Sequence, residues 1–127
     1  MSPKQKRDLV LAYFDAWARG DRAALLSLFA ADAVVVDPVG APPHVGVEAI
    51  GRFFDHARGL PGTYEPVVHR VVLAGDGALV SFTMRTYGAD GAGLQVDVSD
   101  VMTFGADGRI VRLEAWWDQR CMSAYQR

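Results

Sequence analysis

Three polar side chains stand where the pattern around them calls for hydrocarbon. Between Leu94 and Phe104, alternate residues place Leu94, Val96, Val98, Asp100, Met102 and Phe104 on one strand face and Gln95, Asp97 and Ser99 on the other. If the first face is core, an ionised Asp100 is heavily penalised, and burial raises its pKa until the carboxyl is neutral and able to donate a hydrogen bond. An edge strand, or a bulge that turns Asp100 to water, is the competing reading. Asp37 closes the apolar run Ala33-Val34-Val35-Val36 and precedes Pro38. It sits at the rim of an apolar region, where an acid moves protons, although Asp-Pro is also a common turn opening. Tyr13 brings a hydroxyl to the apolar stripe of a helix, and it fits equally as a core aromatic whose tip reaches water.

Other chemistry finds little support. His44, His56 and His69 are dispersed without metal-ligand spacing, and no serine lies in a nucleophile elbow. The glycine-rich segments Gly75-Asp76-Gly77 and Gly88-Ala89-Asp90-Gly91 join strand to strand and do not lead into a helix N-terminus, so they read as hairpin turns and not as phosphate loops. Neither a metal nor a nucleotide is expected. Cys121 is the only cysteine, which precludes an intramolecular disulfide and suits a reducing compartment.

The elements that must position the three residues follow from periodicity. From Lys4 to Arg19 the residues Leu9, Val10, Tyr13, Phe14 and Trp17 recur at helical spacing, Gly20 closes that helix, and Asp21 caps a second containing Leu25 and Leu28. A short strand ends at Asp37, and Val47, Ile50, Phe53, Phe54 and Ala57 mark a third helix that stops at Gly59-Leu60-Pro61-Gly62. The period then changes to two. Strands are predicted near residues 63–74, 78–87, 94–104 and 109–117, separated by Gly-Asp-Gly, Ala-Asp-Gly and Ala-Asp-Gly turns. Helices first and strands last give an α+β class, with three helices on one face of a strongly curved antiparallel sheet that forms a cone able to enclose an apolar ligand.

The 127 residues match one domain spanning 1–127, and 50% hydrophobic against 22% charged residues is enough to bury a core. Thirteen basic and 15 acidic residues give a net charge of -2 without a Lys/Arg run, which points away from nucleic acid and membrane surfaces. The amphipathic N-terminus and the lack of a long apolar stretch lead us to expect a soluble cytoplasmic protein.

Ala18-Arg19-Gly20-Asp21, Phe29-Ala30-Ala31-Asp32-Ala33 and Val36-Asp37-Pro38-Val39-Gly40 resemble the opening half of the bacterial ketosteroid isomerases. Ser99-Asp100-Val101-Met102-Thr103-Phe104, Asp107-Gly108-Arg109-Ile110 and Ala115-Trp116-Trp117 are similar to their closing half, so the resemblance covers nearly the whole chain. The wider superfamily shares the nuclear transport factor 2-like cone, so most of these signals indicate fold, and the chemistry rests on the trio. By position Tyr13 resembles the family's oxyanion tyrosine, Asp37 its general base and Asp100 its protonated oxyanion acid. Ketosteroid isomerase is a known illustration of a carboxylic acid kept neutral by an apolar site.

The resemblance implies a cofactor-free isomerase that converts a 3-oxo-Δ5-steroid to its conjugated Δ4 isomer through a dienolate. Trp117 matches a pocket aromatic of the family, and Phe53, Phe54, Phe82 and Met102 are expected beside it along the steroid's path. A homodimer is also implied, built on the outer sheet face around Gln95, Asp97 and Ser99. The sequence departs from some members in carrying Phe29 and Phe54 where they have tyrosines, so the hydrogen-bond network behind Tyr13 should be shorter. Two other functions fit the same residues: a polyketide-cyclase-like enzyme that promotes an aldol closure, and a non-catalytic module that holds a hydrophobic ligand.

Overall fold

Ser2 starts the first helix of the computed structural model, which describes residues 1–127. Its hydroxyl accepts from the Gln5 amide while the Gln5 side chain takes the Ser2 N–H, a reciprocal cap with Pro3 at the first helical position. Helix α1 (Pro3–Arg19) ends where Gly20 turns left-handed at φ 66°. A side chain on Gly20 would collide with the Arg58 guanidinium, whose Nε donates to the Trp17 carbonyl at 3.0 Å. Asp21 caps α2 (Arg22–Ser27) by accepting from the Ala24 amide. Strand β1 (Phe29–Val36), the short β2 (His44–Val45) and helix α3 (Val47–Ala57) follow.

Four long strands come next: β3 (Thr63–Ala74), β4 (Gly77–Tyr87), β5 (Ala92–Phe104) and β6 (Ile110–Trp116). A short 3₁₀ turn (Gln119–Cys121) and a final strand β7 (Met122–Gln126) complete the chain. The sheet order is β2-β1-β6-β5-β4-β3, and β7 pairs with the Ala92–Val96 half of β5. Strand β5 therefore serves two neighbours along one edge: β6 from Ser99 onward and β7 before it. Register breaks in β1, β3 and at the end of β5 help the sheet curl, and it does not close on itself.

The α+β cone with three helices on a strongly curved sheet is as expected. The sheet is mixed and not purely antiparallel, because β1 runs parallel to β6 with Val34, Val35 and Val36 beside Arg112, Leu113 and Glu114. A hairpin forces antiparallel pairing, but these two strands are joined by a helix and four strands, so no turn dictates their sense. The core gathers Val10, Phe14 and Ala16 of α1, Leu25, Ile50 of α3, and the inward faces of the strands, including Val80, Met102, Ile110 and Leu113. No helix is long and apolar enough to cross a membrane.

Candidate active site

Asp100 occupies the middle of β5, opposite Val80 on β4 and Ala115 on β6, both buried. The alternation holds through this strand: Val98, Asp100, Met102 and Phe104 are buried while Asp97 is exposed. Asp100 is only 2% exposed, and no protein group hydrogen-bonds its carboxyl. Burial first, and the charge of Asp37 second, push its pKa well above the usual carboxylate range. A protonated acid without an internal partner is poised to donate to whatever oxygen enters.

Asp37 is the first residue past β1, at a cis bond to Pro38. Backbone bonds from the Val39 amide to the Ala115 carbonyl and from the Ala41 amide to the Pro38 carbonyl hold the turn. Trp117 is likewise the first residue past β6. Because the two strands are parallel and Val36 lies beside Glu114, both leave the sheet at the same end, and the indole Nε1–H of Trp117 donates to Oδ1 of Asp37 at 2.7 Å. Burial raises the Asp37 pKa, and this hydrogen bond and the nearby His44 pull it back. The two acids are thus treated differently: one is sealed in hydrocarbon, and the other keeps a donor dedicated to its ionised form.

Tyr13 comes from the inner stripe of α1 and is 6% exposed. Burial chiefly, then the neighbouring Asp100 and Asp37 carboxyl groups, hold its hydroxyl well above the usual phenol pKa, with Trp17 pulling the other way. Its hydroxyl therefore resists ionisation. The edges of Phe14 and Phe29 surround its ring, at 5.1 and 6.2 Å between centroids, so no second tyrosine supports it, in keeping with the departure noted in the sequence.

All three residues line one cavity of about 220 Å³, whose walls apart from Asp37, Asp100 and Thr86 are hydrophobic. Phe53, Phe82 and Trp117 line it as well. The structure places Phe54 and Met102 elsewhere. Phe54 packs edge-on against Trp17 at 4.7 Å, because consecutive helical residues point about 100° apart and Phe53 takes the cavity side. Met102 shares the Asp100 face but lies two residues further along β5, fully buried in the core. The sequence reading missed Tyr64, Met84, Thr86 and Val96 as lining residues. Met84 and Thr86 follow Phe82 at strand period, and Val96 and Val98 precede Asp100 in the same way, so the signal was present in the alternation.

Residues 10–113 match the family model of the SnoaL-like domain. The chain belongs to this family, within the nuclear transport factor 2-like superfamily. This SnoaL-like domain is 41% identical over 108 residues to a steroid Delta-isomerase of Nocardioides simplex, covering 85% of each chain. It is also 32% identical over 117 residues to the epoxide hydrolase LasB of Streptomyces lasalocidi, covering 88% of this chain and 41% of LasB. Among solved structures it resembles SalBIII, an epoxide hydrolase/cyclase-like enzyme in pyran ring formation in polyether salinomycin. That likeness has a TM-score of 0.86 at 18% identity over 96% of this chain and 97% of SalBIII, and concerns the fold alone.

Proposed function

We propose that this SnoaL-like domain isomerises 3-oxo-Δ5-steroids to their conjugated Δ4 isomers by intramolecular proton transfer. The observation that carries the reading is the pairing, in one apolar cavity, of a buried Asp100 that has no internal hydrogen-bond partner with an Asp37 carboxylate that has one. The ketone oxygen sits between Tyr13 and neutral Asp100. Asp37 takes the proton from the carbon between ketone and alkene, the electrons move onto oxygen to give the dienolate, and the same carboxyl returns the proton to the far end. Tyr13 and Asp100 meet the charge that grows on oxygen, and packing already fixes both side chains. The 41% identical steroid isomerase supports this choice of substrate.

The test is the growth of conjugated-enone absorbance from a 5-ene-3-one. Asp37→Asn should reduce kcat at least about a hundredfold with the fold intact. Near-normal turnover by that variant excludes Asp37 as the base.

The relatives favour one second reading, ring formation or hydrolysis at an epoxide. The same groups would serve: Tyr13 or Asp100 gives a proton to the epoxide oxygen as its C–O bond breaks, while Asp37 takes the proton of the attacking hydroxyl or water. Opened or cyclised product from a hydroxy-epoxide, with no isomerisation of the steroid, would select it over both the isomerase and an aldol cyclase. Tight steroid binding with neither reaction would indicate a binding module. The homodimer and the cytoplasmic setting belong to the proposal too, and sedimentation of the purified chain tests the first.

A further inference from the structure

The chamber that holds Tyr13, Asp37 and Asp100 has a neighbour. At about 220 Å³ it is smaller than the roughly 300 Å³ at which small-molecule sites usually begin. Ala57, Tyr64, Met84, Thr86 and Val96 line it and also line a second hollow of about 410 Å³. The floor of this second hollow carries Leu60, Leu94 and Met122, large apolar side chains that are 65%, 48% and 38% exposed. Three such side chains around one concavity form an apolar surface that a hydrocarbon ligand would withdraw from water.

The strand gives the ruler. Asp100, Val98, Val96 and Leu94 lie on one face of β5, and six residues at about 3.4 Å each put Leu94 about 20 Å from Asp100. Four fused rings held by their ring-A oxygen span roughly half of that, from carbon-carbon bonds of about 1.5 Å. A compact steroid therefore stops near Met84 and Val96, short of the outer shelf. Tyr64, shared by the two hollows, is held in place: its hydroxyl exchanges hydrogen bonds with both the N–H and the carbonyl of Leu60 at 3.1 Å, and the Arg58 guanidinium lies 4.5 Å over its ring.

From this adjacency we infer that the outer hollow is a binding site for an aliphatic tail, and that the substrate is a polycyclic ketone carrying an alkyl chain of about sterol length at the end remote from the ketone. The inference rests on the reading that the ketone is held at Tyr13 and Asp100. A tail laid over Leu60, Leu94 and Met122 withdraws methylenes from water, each worth roughly fourfold in affinity.

The experiment titrates the protein with 4-androstene-3,17-dione and with 4-cholesten-3-one, both delivered from the same cyclodextrin carrier, and follows the fluorescence of Trp117 and Trp17. The tailed ketone should bind about tenfold or more tightly than the short one. Leu94→Ser and, separately, Leu60→Ser should shrink that ratio to under about threefold, with circular dichroism confirming the fold. Leu60 lies in an exposed loop, so its variant stays informative even if the one in β5 does not fold. Equal affinities in the wild type, or a ratio that neither substitution changes, overturns the inference. The matching 5-ene-3-ones, assayed by absorbance, separate the two claims. Isomerisation of both ketones with no preference in binding removes the shelf and leaves the reaction. A binding preference abolished by Leu60→Ser with no isomerisation removes the reaction and leaves the shelf.

Discussion

Asp100→Asn tests the central electrostatic claim through stability. In the unfolded chain an aspartate has a pKa near 3.9, whereas burial among Val80, Met102 and Ala115, with Asp37 adding to it, holds the folded carboxyl well above that range. The folded protein therefore keeps a proton that the unfolded chain releases. Stability from this group is complete below the unfolded pKa and is lost progressively as pH rises from there toward the folded value. While Asp100 stays protonated, each pH unit costs about 1.4 kcal/mol. Asparagine keeps the shape and a donor but does not titrate. Urea unfolding at a series of pH values above about 4 should give a wild-type stability that falls relative to Asp100→Asn as pH rises, with a slope of about 1.4 kcal/mol per unit for as long as the folded carboxyl keeps its proton, whatever the constant offset between the two proteins. Parallel stability-pH lines would show that Asp100 is ionised in the folded state, and the assignment of a neutral donor would fall.

Removing the indole donor in Trp117→Phe leaves the Asp37 carboxylate without its 2.7 Å hydrogen bond, so its pKa rises and the acid limb of kcat/KM should move to higher pH. His44→Leu removes a charge that favours ionised Asp37 and should move the same limb in the same direction, read from the same pH profile. Gly93→Ala should destabilise by about 2 kcal/mol or more in urea, because a methyl group there runs into the Thr86 carbonyl on β4. Arg58→Ala takes the guanidinium from the Trp17 carbonyl and the Tyr64 ring and should cost about 1–2 kcal/mol in the same measurement.

What the sequence made legible was whatever depends on neighbours along the chain. The period of α1 put Tyr13 on its inner side, and the alternation of β5 put Asp100 among valines and methionine, where the structure has it. The valine run marked β1 and left Asp37 at its end. Partners distant in sequence were not legible. Nothing local in Phe29–Val36 says that β1 will lie parallel to β6, so the family resemblance makes Trp117 a lining aromatic and gives no sign of its hydrogen bond to Asp37. Phe53 and Phe54 are alike in composition, and only the packing of α3 against α1 decides which one meets the cavity. Met102 was assigned by its strand face alone, which reports sidedness but not depth. The strands β2 and β7 are two and five residues long and lack a periodic signal of their own.

The side-by-side run of β1 and β6 also sets when the proposed proton-transfer site can exist. Its members are contributed near the start, before the middle and close to the end of the polypeptide, with Asp37 and Trp117 lying 80 positions apart. Such distant closures come late in folding because the loop entropy must be overcome first. A ribosome that has released only the helices and β1 has made Asp37 but neither its shelter nor its hydrogen-bond partner. Competence for chemistry should therefore arrive in one step with the completed sheet, and split halves divided in the β4–β5 turn should each be inert and regain turnover only on reassociation.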